Sequence, residues 1–291
     1  IKLYKKYMKL YSLSEAKNKT NNIIYNSPHS GECFPDAFLK TCQINKHKLL
    51  SSSDSFVDSL FEEAKNNGST LLANNFARSF MDTNREAYEI DPSMFSGEID
   101  VPLNHSSPKV KMGFGSIAKY AHTRKNIYQD KIPFEQARQR IEQYHLPIHE
   151  KLDSLLTNDM DKFAYSLLID CHSMPSFEFL GHYVPDKPQY DIILGNLYGR
   201  SCHPVITDFL AQHFLQAGLT VIQNTPFAGG YNTFQYGAPH LNKHAIQIEI
   251  KKSLYMDEST RTPNRNFKGM KKIISSLCSQ LDKHIEDLII I

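Results

Sequence analysis

Ile23-Ile24-Tyr25-Asn26-Ser27-Pro28-His29-Ser30-Gly31-Glu32 is the stretch from which the rest of the chain can be read. Its apolar start predicts a strand. Pro28 disfavours helix at Ser27, so His29 falls at a strand end, where α/β folds put their sites. His29 and Glu32 have the spacing of a mononuclear metal pair. A neutral imidazole and a carboxylate suit Zn²⁺, which at a catalytic centre takes about three protein ligands and keeps one position for water. Such a pair also occurs by chance on surfaces, so the metal reading needs a third ligand and a base from elsewhere.

Moving outward, residues 1–20 read as a peripheral basic arm or helix. Downstream, Asp54-Ser55-Phe56-Val57 opens a predicted helix with Val57, Leu60, Phe61 and Ala64 on one face and a cap at Asn67-Gly68. Ser69 to Ala73 is the next strand. The segment from Phe76 to Glu86 has neither helical nor strand period and carries Arg78, Asn84 and Arg85. It is either a solvated loop or an anion clamp, since a guanidinium fork fits a carboxylate bidentately. Residues 87–132 read as long loops with a short helix near Ser116–Lys125, and a long amphipathic helix runs from Pro133 to about Leu156. His145 and His149 lie four apart in that helix, with Pro147 disturbing their geometry, so His149 is assigned a capping or substrate-side role.

The second half repeats the strand-then-polar theme. Phe163 to Ile169 is an apolar strand ending in Asp170-Cys171-His172-Ser173, which puts a second imidazole at a strand terminus. His172 is either a hydrogen-bonded structural histidine or the third ligand, with Asp170 able to orient a ligand from behind. Asp191 to Gly195, Leu219 to Gln223 and His244 to Ile250 read as strands, and Pro204 to Ala217 as a helix ended by Gly218. Thr225 to Tyr231 is a glycine turn presenting the Tyr231 hydroxyl, and no phosphate-loop pattern is present. In the last strand Ile246, Ile248 and Ile250 face one way and Gln247 and Glu249 the other. Glu249 is therefore either a solvated strand carboxylate or the candidate base. Arg265 to the C-terminus is an amphipathic helix. With no repeat or linker dividing the chain, one domain over 1–291 is expected.

Composition narrows the function classes. Lys plus Arg number 33 against 31 acids in 291 residues, a formal net charge of +2, which gives no general attraction to nucleic acid or an anionic membrane. There is no apolar run near 18 residues and no apolar core of a signal peptide in the first 20. Five widely spaced cysteines without a CxxC point to reduced thiols and a cytoplasmic protein. A small-molecule partner is expected, and oligomeric state is not legible.

Taken in order, His29-x-x-Glu32, Arg78, Asn84-Arg85, His172, Tyr231 and Glu249 resemble the zinc carboxypeptidase plan. The flanking phrases are similar to those of the N-formylglutamate amidohydrolase family: Pro28-His29-Ser30-Gly31, Asp82-Thr83-Asn84-Arg85, Asp170-Cys171-His172-Ser173-Met174, Pro226-Phe227-Ala228-Gly229-Gly230-Tyr231 and Gln247-Ile248-Glu249-Ile250. The family's Asp-Leu-Asn-Arg has Thr83 here, and its Pro-Tyr-His reads Pro147-Ile148-His149; both keep their polar residues. The resemblance covers about residues 22–280. It implies a three-layer α/β/α fold with a mixed central sheet, of the zinc carboxypeptidase and phosphorylase/hydrolase kind. It implies one Zn²⁺ on His29, Glu32 and His172, Glu249 as base, Arg78 at the oxyanion, and Asn84, Arg85, His149 and Tyr231 toward substrate. The implied reaction is hydrolysis of N-formyl-L-glutamate to formate and L-glutamate. Hydrolysis of another N-acyl amino acid or small peptide, a non-catalytic metal-binding protein, and a cysteine hydrolase using Cys33 or Cys171 are the alternatives.

Overall fold

Ser166–Met174 is a strand of nine residues, all buried, and the sheet is assembled around it. The computed structural model describes residues 8–121, 125–176 and 190–289. Its central strands are β1 (Tyr11–Glu15), β2 (Ile23–Ser27), β3 (Thr70–Asn74), β4 (Ser166–Met174), β5 (Ile192–Gly195), β6 (Val221–Gln223) and β7 (Lys243–Lys251). They form one sheet in the order β1-β3-β2-β4-β7-β5-β6. β4 is parallel to both β2 and β7, and β5 is antiparallel to β7 but parallel to β6. The sheet is mixed and the fold is α/β, as expected.

Two compact units are distinguishable, one of residues 1–12, 29–53 and 73–151 and the other of 13–28, 54–72 and 152–291. In the second, strand alternation divides the sheet into two unlike faces. Tyr25, Ile169, Cys171, Ile246, Ile248, Ile192 and Leu194 share one core with side chains of the helices Val57–Leu60, Pro204–Gln216 and Phe267–Ile289. The last helix buries Met270, Ile274, Leu277, Cys278, Leu281 and Ile285, the stripe of a 3.6 period. The other face starts apolar with Ile24, Leu168 and Ala245, then turns polar with Asn26, Asp170, His172, Gln247 and Glu249. The short helix Tyr231–Tyr236 packs there, its Asn232 donating to Asp170.

The first unit is loop-rich around an aromatic core that includes Phe38, Phe76, Phe80, Tyr128 and Phe134. Arg140 is buried in it, its guanidinium 5.1 Å from the Phe38 ring centre, 4.9 Å from Phe80 and 5.5 Å from Tyr128. Its Nη1 donates to the Tyr128 hydroxyl at 2.7 Å. Desolvated cation–π contacts and a charge-assisted hydrogen bond are worth about 2–4 kcal/mol together. Arg140→Met should retain the packing and lose about that much stability in urea unfolding; a loss below about 0.5 kcal/mol would assign Arg140 no such role.

Several expectations change. The arm over 1–20 contributes the edge strand β1, Tyr11–Glu15. The helix after Asp54 is one α turn, Val57–Leu60, and a 3-10 stretch, Glu62–Asn67, although Val57, Leu60, Phe61 and Ala64 are buried as predicted. A left-handed Phe56, φ 68°, and Gly68, φ 69°, bracket it. A Cβ on Gly68 would lie 1.7 Å from the Thr20 hydroxyl, so only glycine fits. No helix forms over the described part of 116–125; residues 122–124 lie outside it. The predicted helix over 133–156 is instead α over Phe134–Arg140, a π turn over Ile141–His145 and α over Leu146–Thr157. Pro147 cannot donate to the Gln143 carbonyl and its ring crowds that oxygen, which a wider turn relieves. The strand predicted to stop at Ile169 runs on to Met174, so His172 lies inside it.

Candidate functional site

In the first unit the chain is drawn together around Asp82. Its Oδ1 accepts from His29 Nε2 at 2.7 Å and from the Asn84 N–H at 2.9 Å, and its Oδ2 accepts from Arg78 Nη2 at 2.7 Å. Burial opposes the charge on Asp82, but Arg78, His29 and Arg85 outweigh it and hold its pKa well below the usual carboxylate range. A carboxylate only accepts, so His29 donates from Nε2. His29 is buried whereas Glu32 is exposed. Among the described residues Glu32 belongs to no group of three or more His, Cys, Asp or Glu side chains close enough to share an ion. Gly31 lets this loop pass the segment carrying Arg78: a Cβ there would lie 2.4–2.6 Å from the backbone of Asn74 to Phe76. Cys33 then exchanges hydrogen bonds with the Asn75 carbonyl and Ala77 N–H.

The Asn84–Arg85 segment is fixed in the same unit. Arg85 Nε donates to the Phe114 carbonyl at 3.1 Å and Nη1 to the Asn84 carbonyl at 2.6 Å, which leaves the second terminal nitrogen of a five-donor fork for another acceptor. His149 Nε2 donates to the Thr83 carbonyl at 2.9 Å. His145 and His149 lie side by side, their rings 4.4 Å apart, despite Pro147 between them.

In the second unit, His172 lies between two carboxylates. Its Nε2 is 2.7 Å from Asp170 Oδ2 and its Nδ1 3.2 Å from Asp54 Oδ2. Asp170 is fully buried and accepts further from Asn26 at 2.8 Å and Asn232 at 3.0 Å. Burial alone would lower the His172 pKa, but Asp170, Asp54 and Glu249 raise it well above the ordinary value. Two acceptors can be satisfied by one ring in two ways: as an imidazolium, or with a cation shared by Nδ1 and the Asp54 carboxylate while Asp170 steadies Nε2–H. The second is the carboxylate–histidine arrangement of metal sites. The donor chemistry at His172 thus fits a divalent ion. Glu249 is the neighbour of His172 across the β4–β7 register, on the same sheet face and half-buried, with Gln247 donating to its Oε1 at 2.8 Å. Tyr231 opens its helix directly after Gly229-Gly230 and is half-buried.

Sequence reasoning assigned no role to Asp54 or Asp82. Asp54 resembles a helix cap because it precedes an apolar helical run, yet it also accepts from the Ser173 hydroxyl at 3.1 Å. Asp82 stands in the quoted Asp82-Thr83-Asn84-Arg85 phrase, but one of its donors, His29, comes from a distant part of the chain.

Residues 21–256 match the model of the N-formylglutamate amidohydrolase family. An N-formylglutamate deformylase of Pseudomonas putida is 27% identical over 242 residues, 81% of this chain and 82% of that protein. One from Pseudomonas aeruginosa has the same identity and coverage. The crystal structure of N-formylglutamate amidohydrolase from Ralstonia eutropha JMP134 superposes with a TM-score of 0.90 at 29% identity, covering 96% of this chain and 99% of that one. With four-fifths of its length matched, the chain belongs to the N-formylglutamate amidohydrolase family.

Proposed function

We propose that this protein is a zinc-dependent enzyme hydrolysing N-formyl-L-glutamate to formate and L-glutamate. The observation that carries the reading is the pairing on β4 and β7: a carboxylate-braced imidazole, His172, beside the one acidic side chain of β7, Glu249. His29, Glu32 and His172 are the ligands the family resemblance assigns, and Asp54 is the carboxylate within reach of His172 Nδ1. Zinc held there would acidify a water and polarise the formyl carbonyl.

The remaining steps belong to the chain's own groups. Glu249 takes the proton of the attacking water and hands it to the departing amine. Arg78, fixed by Asp82, stabilises the negative charge that develops on the formyl oxygen. Asn84 and Arg85 hold the α-carboxylate of the substrate, His149 supports them through Thr83, and Tyr231 closes over the bound molecule. The thiol alternative loses support at Cys171, which is buried in the core on the opposite sheet face with its pKa pushed up, chiefly by burial. All five cysteines are free, in keeping with a reducing compartment such as the cytoplasm. No described helix is long and apolar enough to cross a membrane.

The test is metal analysis with formate release from a panel of N-formyl amino acids. N-formyl-L-glutamate should exceed N-formyl-L-leucine by about 10²-fold or more in kcat/KM, because a site built for a charged group rejects one that leaves it unpaired. Equal rates across the panel would overturn the substrate assignment, and full activity after chelation would overturn the metal.

A further inference from the structure

The helix that follows Phe134 carries two histidines whose Nε2 atoms reach backbone carbonyls of another segment. His145 Nε2 is 2.8 Å from the Arg85 carbonyl and His149 Nε2 is 2.9 Å from the Thr83 carbonyl. A carbonyl only accepts, so both rings donate from Nε2. The two acceptors are the peptide carbonyls that flank the Asn84–Arg85 pair. Four residues apart, the two rings lie on one side of the helix with centres 4.4 Å apart, and the π turn Ile141–His145 ends at the first of them. A π turn within an α-helix is uncommon and clusters at functional places. His145 is buried, and its pKa is lowered, chiefly by that burial, against the opposing effect of the Arg85 carbonyl it donates to.

We propose that His145 and His149 form a clamp that positions the Asn84–Arg85 segment for carboxylate binding without touching the substrate themselves. This rests on the reading of Asn84 and Arg85 as the α-carboxylate holders. The segment is pinned at both ends of its backbone by the clamp, and from inside by the Asn84 N–H to Asp82 at 2.9 Å. Arg85 Nε is also tied to the Phe114 carbonyl at 3.1 Å. A bidentate contact needs its fork held to within a few tenths of an ångström, and a flexible loop cannot do that. Two side-chain donors on a rigid helix can.

The experiment compares His145→Leu, His145→Gln and Arg85→Lys, each measured on N-formyl-L-glutamate and on its α-amide. Glutamine keeps an N–H donor near the position of Nε2; leucine does not. His145→Leu should raise KM for the acid about 10–100-fold with kcat within about threefold, and change KM for the amide little. His145→Gln should recover most of that loss. Amide hydrogen exchange over residues 83–86 should accelerate at least about tenfold in His145→Leu and stay near wild type in His145→Gln. Unchanged exchange in His145→Leu, or a loss equal for acid and amide, overturns the clamp. If Arg85→Lys alone shows an acid-specific penalty, the carboxylate reading stands and the clamp falls. If exchange accelerates but neither Arg85→Lys nor His145→Leu separates acid from amide, the carboxylate reading is what fails, and with it the proposed purpose of the clamp.

Discussion

Glu249→Gln should lower kcat on N-formyl-L-glutamate by about 10²–10⁴-fold while leaving bound zinc unchanged. Glutamine has nearly the same shape, so the apolar flank of β7 formed by Ile246, Ile248 and Ile250 keeps its packing. What is lost is a group that can take a proton from water and return it to the amine. The Gln247 side chain, which donates to Glu249 Oε1 at 2.8 Å, can still donate to the new amide oxygen, so the local geometry holds. The pH profile adds a second reading: the limb that reports the base should disappear from the variant's residual activity. Turnover near wild type would move the base elsewhere, with Asp170 next in line.

The second large effect belongs to His172→Ala. Loss of partners behind a metal ligand typically weakens metal binding about 10–100-fold, and loss of the ligand itself should exceed that, so zinc and activity should disappear together. The truncation also strips a common partner from Asp170 and Asp54, both buried. Leaving buried charges uncompensated costs about 3–5 kcal/mol, so the variant should melt well below wild type while still folding at low temperature. Zinc content is therefore read on folded protein recovered by gel filtration. Full occupancy in that fraction would show that the ligand set excludes His172. Asp170→Asn separates the two effects: the ring keeps its place in the chain but loses the acceptor 2.7 Å from Nε2, and affinity should fall by only about 10–100-fold.

Much of this was legible in the sequence because apolar alternation is a local signal. Ile246, Ile248 and Ile250 against Gln247 and Glu249 gave both a strand and the face on which its acid lies, and the register with β4 agrees. The strand through His172 was shortened because Asp170-Cys171-His172-Ser173 has no apolar run. Those polar residues are tolerated in full burial only because partners distant in sequence, Asn26, Asn232 and Asp54, satisfy them. Asp82 was hidden because one of its donors, His29, comes from a distant part of the chain, while the near ones, Arg78 and the Asn84 N–H, lie in a segment without periodicity. The π turn escaped notice because one wide turn barely disturbs a 3.6-residue pattern. Pro147 was its only local sign.

The distribution of the five thiols gives the molecule a built-in reporter of where it opens. Cys33 is exposed and Cys42 half-buried, both in the first unit; Cys171, Cys202 and Cys278 are buried in the second. Burial pushes the Cys202 and Cys278 thiols up to about 12, so neither supplies thiolate to a reagent at neutral pH while it remains enclosed. Alkylation of Cys33 then proceeds from the native state. Alkylation of the three enclosed thiols waits on opening of the sheet and its helices, and its rate measures that opening free energy without denaturant. A single mass spectrum taken over time would thus separate events in the loop-rich unit from those in the sheet.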